Sequence, residues 1–430
     1  MKQMAVRPMD RRVLFGSVVM VIAVVLIGSL SPNVSDWLKD TTARSDVPVV
    51  EDGGDVASPV KATVDASNRF AFDLYSRYSS GSGNILFSPY SISTTLSMVY
   101  EGAGGETADE MEAVFHFIED PLERRTAVAR IHKVINGEDP DYELDIANAL
   151  WMQENYPILR DYIDMVVNFY GGEANSLDFS GAPEESRIII NEWVEERTNY
   201  RIKDLFPRNS INNEVVLVLT NAIYFKGDWL IEFDVESTRK EEFHVSPTES
   251  VEADMMSLLG ERFNYTDIGD MQVLELPYTG KDISMIILLP KENNLSDIEA
   301  TLSCDELGVL IDGLKETAVD VYLPRFTFET KYFMKEDLIE MGMPTAFTSY
   351  ANFTGITEVE MLFIDVVIHQ AFIEVNEEGT EAAAATGVVM PKSSAPPPSE
   401  VFRADHPFIF IIQDRVTGII LFMGRVITPS

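Results

Sequence analysis

Hydrophobic and polar positions change rhythm along the chain. Residues 65–80 place Phe70, Leu74 and Tyr78 on one face at helical spacing, which predicts a helix. A Ser-Pro step opens an amphipathic pattern over 88–100, a second predicted helix. A third, over 184–200, carries Ile188, Ile189, Trp193 and Val194 beside a charged face. Strand patterns follow at 143–152, 215–225, 271–277, 283–290, 318–329, 363–376, 408–413 and 419–426. Helices dominate the first half and strands the second. That order predicts an α+β fold rather than regular βαβ alternation.

The ends of this pattern differ from its middle. Lys2, Arg7, Arg11 and Arg12 precede an uncharged run from Val13 to Leu30. As a helix those residues would extend about 27 Å, close to a bilayer core of about 30 Å. Positive charge before the run favours a cytoplasmic N-terminus. Residues 1–30 are therefore expected to be a membrane anchor, with a cleaved signal peptide as the competing reading. In either case the remainder is exported, to the cell surface or beyond. Residues 31–62 hold Asp36, Asp40, Asp46, Glu51, Asp52 and Asp55 with a Gly-Gly pair, the composition of a flexible linker. One globular domain is expected over 63–430.

Composition narrows the function. The 430 residues are 46% hydrophobic, enough for a large core. Asp and Glu total 70 against 33 Lys and Arg, a net charge of −37. A surface this acidic repels phosphate backbones, so nucleic acid is not an expected partner. The single cysteine, Cys304, excludes an internal disulfide and any cysteine-based metal cluster, and reads as a small core residue. The five histidines, His116, His132, His244, His369 and His406, fall in no metal-ligand spacing, and His132 and His244 read as surface residues. No nucleophile elbow and no phosphate-cradling loop occurs. An enzyme reading thus lacks its constellation, and no metal or cofactor is called for. Sequons stand at Asn33, Asn264, Asn294 and Asn352.

One segment stands apart. Residues 379–386 run Gly379, Thr380, Glu381, Ala382, Ala383, Ala384, Ala385 and Thr386. Four alanines in a row ordinarily suggest a short helix. Yet alternate positions sort cleanly. Thr380, Ala382, Ala384, Thr386, Val388 and Met390 share one parity with no charge among them. A proline-rich stretch, 387–400, follows and predicts an exposed extended loop.

Several motifs in fixed order then identify a resemblance. NILFSPYSIS at 84–93, TNAIYFKGDW at 220–229, Leu323-Pro324-Arg325-Phe326, HQAFIEVNEEGTEA at 369–382, ADHPF at 404–408 and LFMGRV at 421–426 together resemble the serpin family, from about residue 63 to the end. The resemblance implies a fold of three β-sheets and about nine helices with an exposed reactive-centre loop. It implies a protease inhibitor whose loop is cut by a serine protease, forms an acyl-enzyme and inserts into the central sheet, trapping the protease. The partner would be a trypsin-, subtilisin- or elastase-like enzyme, and the inhibitor is expected to be a monomer. A non-inhibitory binding protein or chaperone on the same fold is the alternative. Bulky, charged or proline residues at the hinge would favour that alternative, and the inward-facing hinge positions Thr380, Ala382, Ala384 and Thr386 have none.

Site residues carry over by position. Gly379 to Thr386 correspond to the hinge, with Gly379 as its flexible point. Counting from the hinge puts the scissile bond at Ser393–Ser394. Counting back from Phe402 puts it about three residues later, so the loop is longer than in well-known members of the family; Met390 and Lys392 stay open as alternatives for the residue before the cut. Ser88, Asn221 and His369 correspond to the shutter, polar groups beneath the central sheet. Buried polar groups must be bonded, and can hold two alternative bonded states. Trp229, with Arg325 and Glu377 as an ion pair, corresponds to the breach where insertion begins.

Overall fold

The computed structural model describes residues 57–136, 142–359, 362–380 and 399–429. The anchor expected at 13–30, most of the linker, hinge residues Glu381 to Thr386 and the candidate cleavage residues Met390, Lys392, Ser393 and Ser394 lie outside them.

In chain order the helices are α1 (Ala57–Ser79), α2 (Pro89–Tyr100), α3 (Gly105–Phe115), α4 (Pro121–Ile135), α5 (Arg160–Met165), α6 (Pro183–Arg197), α7 (Leu295–Glu299), α8 (Cys304–Asp312) and α9 (Lys335–Met341). The strands are β1 (Ile85–Phe87), β2 (Tyr142–Gln153), β3 (Glu173–Leu177), β4 (Leu217–Asp228), β5 (Arg239–Ser246), β6 (Glu249–Ile268), β7 (Met271–Pro277), β8 (Ile283–Pro290), β9 (Lys315–Pro324), β10 (Phe326–Phe333), β11 (Val366–Val375), β12 (Gly379–Thr380), β13 (Glu400–Arg403), β14 (Phe408–Asp414) and β15 (Ile420–Val426). The α+β expectation and its nine helices hold among the described residues.

Six strands form one sheet in the order β10-β11-β12-β4-β2-β3. The others form a nine-stranded sheet, β1-β15-β14-β8-β7-β6-β9-β13 with β5 on β6. The expected second and third sheets are thus hydrogen-bonded into one through β6, which pairs with β5, β7 and β9 along its length.

Several elements depart from the sequence pattern for physical reasons. The first helix begins at Ala57, so 57–62 extend α1 instead of ending the linker. The strand expected over 318–329 is two, because the chain crosses from one sheet to the other at Arg325. Helix α2 is not amphipathic in its setting. Ser88 caps it, its Oγ accepting from the Ser91 N–H at 3.2 Å, and all twelve of its residues are buried. Its Ser91 and Thr95 hydroxyls face a polar cluster rather than water. On α6 the buried face is Ile190, Asn191 and Val194, while Ile188 and Ile189 are exposed. His132 is half-buried, its Nδ1 3.5 Å from the Tyr90 hydroxyl, whereas His244 is exposed as expected. Cys304 is half-buried against the core. The long β6 alternates too many polar residues to read as a strand, since much of it is partly exposed.

Candidate functional site: a split sheet with a strand already started

Strands β4 and β11 run parallel and pair directly from Val366–Val218 to Phe372–Tyr224. Beyond that they part, and β12 fills the gap. Thr380 pairs antiparallel with Val375 on one side and Gly227 on the other, and Gly379 with Asp228. The wedge consists of the first two hinge residues. Thr380 is 1% exposed, so its side chain points into the protein as its parity predicts. Its Oγ1 lies 2.7 Å from the Tyr278 hydroxyl.

A tight turn feeds this wedge. The Asn376 side-chain carbonyl accepts the N–H groups of Glu378 at 3.0 Å and Gly379 at 3.2 Å. Asparagine favours such turns because its side chain mimics the backbone. Trp229 fastens the turn from the other side. Its indole donates to the Asn376 carbonyl at 3.0 Å, and its backbone N–H to the Glu378 carbonyl at 2.8 Å. The ring stacks on Tyr278 with centroids 4.5 Å apart. Burial pushes the Tyr278 phenol well up, so it stays neutral.

Arg325 and Glu377 meet here as well. The Arg325 Nε donates to both Glu377 oxygens, at 2.8 and 2.7 Å, and a terminal nitrogen makes a further bond. Thr238 Oγ1 also donates to this carboxylate. Glu377 is 3% exposed, while the Arg325 side chain is 39% exposed. The carboxylate's hydrogen bonds push the Arg325 guanidinium further up.

Farther down the same strands lies the second polar cluster. The Ser88 backbone N–H donates to His369 Nε2 at 3.0 Å, and His369 Nδ1 donates to Asn221 Oδ1. One ring nitrogen accepts and the other donates, so the imidazole is neutral. Complete burial agrees, holding the His369 pKa down to about 3. Asn221 Nδ2 lies within 2.8–3.0 Å of Ser91 Oγ, Thr95 Oγ1 and Asn148 Oδ1. The structure therefore joins Ser88, Asn221 and His369, with Ser88 acting through its backbone. Sequence reading passed over Ser91, Thr95 and Asn148. The signal was present: Ser91 and Thr95 stand one turn apart on α2, and Asn148 interrupts small apolar residues on β2. It also passed over Tyr278, Asn376 and Thr238.

On the outer face, α6 and the segment after it cover β2, β4 and β11. Ile190, Val194, Leu205 and Phe206 pack on Ala147, Ala149, Ala222 and Ile368. The Arg187 and Asn191 side chains both bond the Phe206 carbonyl. The alanines beneath keep that sheet surface smooth.

The family described as "Serpin (serine protease inhibitor)" matches residues 65–429. An uncharacterized serpin-like protein of Methanosarcina mazei is 43% identical over 401 residues, 91% of each chain. Leukocyte elastase inhibitor of Bos taurus is 39% identical over 375 residues, 85% of this chain and 98% of that protein. Uncleaved ovalbumin superposes with a TM-score of 0.78 at 32% identity, over 86% of this chain and all of that one. A loop-inserted structure of a cleaved ovalbumin mutant matches with a TM-score of 0.77 at 31% identity, over the same shares.

Proposed function

Because this chain belongs to the serpin family, we propose that it inhibits extracellular serine proteases as a suicide substrate, not as an enzyme. The protease serine attacks a carbonyl in the segment between β12 and β13. The amine on the far side leaves, and the acyl-enzyme forms. The freed segment then continues β12 down between β4 and β11 before water can release the protease.

The observation that carries this reading is the seated β12. Its register gives the path. Each residue after Thr380 steps one residue back along β11 and along β4. Six steps on, Thr386 would stand opposite His369 and Asn221. Insertion would replace a parallel contact with two antiparallel ones, the somewhat stronger pairing. Residues Ala382, Ala384 and Thr386 are small enough for the interior face.

The alternative is a serpin-fold binding protein that never inserts its loop. One experiment separates them. Trypsin-, elastase- and subtilisin-like proteases are incubated with the protein, followed by a denaturing gel and mass analysis of the released peptide. A gel-stable complex supports inhibition, and the peptide mass decides between Ser393–Ser394, Met390 and Lys392. Loop cleavage should also raise Tm, because insertion adds a central strand. Clean cleavage without a complex or a rise in Tm would favour the binding protein.

We also propose that residues 13–30 tether the domain outside the cytoplasm, where its targets are. The charge pattern of residues 1–30 supports this.

A further inference from the structure

We propose that the Tyr278 hydroxyl is the dock that holds the hinge in the sheet before cleavage, and so sets how quickly insertion starts. The proposal rests on the inhibitory reading for its consequence but not for the dock itself.

Tyr278 cannot drift to another partner. It is fully buried, with Trp229 stacked on one face and Phe225 edge-on at 5.1 Å. Gly227 leaves the ring room, since a Cβ there would meet Tyr278 Cδ1 at 3.1 Å. The backbone is pinned too, the Tyr278 N–H donating to the Ile283 carbonyl at 3.0 Å. Rigid rings thus aim the hydroxyl at the point where the inner face of β12 begins. Thr380 brings its hydroxyl to that point at 2.7 Å. Two buried hydroxyls satisfy each other, and pulling Thr380 out of the sheet strands the phenol. Thr380 therefore enters the reaction already placed, and the residues after it need only follow its register. Tyr278 touches neither the protease nor the scissile bond, so it is a positioning residue.

The asymmetry of buried hydrogen bonds supplies the test. Removing one partner leaves the other unsatisfied, whereas removing both is close to neutral. Four variants are compared: Tyr278→Phe, Thr380→Val, the double variant, and Thr380→Ser. The first measurement is hydrogen exchange of residues 376–380 in the uncut protein. Each single apolar variant should exchange about five- to tenfold faster than wild type. Thr380→Ser and the double variant should return towards it. The second measurement is the number of inhibitor molecules consumed per protease trapped, which should rise in the same two single variants. Unchanged exchange in Tyr278→Phe, or a double variant no better than the worse single one, would overturn the dock. Altered exchange with no protease trapped by any variant would keep the dock and remove the inhibitory reading instead. Thermal unfolding of Tyr278→Phe checks that the fold persists, as stacking on Trp229 needs only the ring.

Discussion

The carbonyl oxygen of Gly227 occupies the place where residue 379 would carry its first side-chain atom: a Cβ on Gly379 would meet it at 2.1 Å. Asp228 Cα crowds the same point at 2.7 Å. Close approach of two backbones requires glycine here. Both obstructing atoms belong to a central strand and cannot rotate away.

Gly379→Ala should therefore expel β12. The new methyl costs about 1–3 kcal/mol if the strands must spread. Thermal unfolding should show the loss, and a crystal structure should show Thr380 outside the sheet. An unchanged Tm with Thr380 still against Tyr278 would refute the close-approach argument.

Thr380→Arg should convert an inhibitor into a substrate. Its side chain would carry charge into a position that is 1% exposed beside Tyr278. Burial of an unpaired charge is strongly unfavourable, so insertion slows and the acyl-enzyme hydrolyses first. Complex yield on a denaturing gel measures this. An undiminished yield would sink insertion at this register.

At the turn, Glu377→Gln should destabilise the fold by about 1–3 kcal/mol. It leaves Arg325 beside a neutral amide and weakens the bond from Thr238. The loss is limited because Arg325 regains water through its own exposed side. Urea unfolding gives the difference. Lys240→Ala serves as the contrast, since Lys240 and Glu252 pair in the open with both side chains about two-thirds exposed, and its midpoint should not move.

How much of this was legible depends on what sets each contact. The expected strands and α1 follow from hydrophobic periodicity, and the meetings of His369 with Asn221 and of Arg325 with Glu377 from ordered motifs and their resemblance. Their partners lie within those motifs. Tyr278 was not legible, because it follows β7 with no motif, and only its bridge to Trp229 and the packing of one sheet on the other bring it under Thr380. Asn148 was hidden in the same way, facing Asn221 across the β2–β4 ladder. The close approach at Gly379 was hidden for a related reason. A glycine in one sequence does not say whether flexibility or a neighbouring strand requires it. Burial of all of α2 also escaped, since its serines and threonines look like a solvent face until their partners are known.

The neutral His369 makes stability depend on pH in a defined direction. Its folded pKa of about 3 lies below the ordinary 6.5, so the native state takes up its proton less readily than the unfolded chain. As pH falls through 6.5, the unfolded chain binds a proton that the native state refuses. This contribution is therefore full above pH 6.5, and it declines by about 1.4 kcal/mol per pH unit on the way towards 3. Other groups titrate over the same range, so the measurement is a difference. His406 shifts the opposite way, held up by its bonds to Asp405 and the Pro290 carbonyl. Urea unfolding of wild type and His369→Gln is compared from pH 7.5 down to 5. Glutamine lacks the titration but keeps a donor and an acceptor for Asn221 and the Ser88 N–H. The wild type should lose stability relative to the variant as pH falls, with the gap changing only below about 6.5. Parallel curves across that range would mean that His369 takes up its proton as readily in the fold as in the unfolded chain, and that the Ser88 N–H does not hold its Nε2.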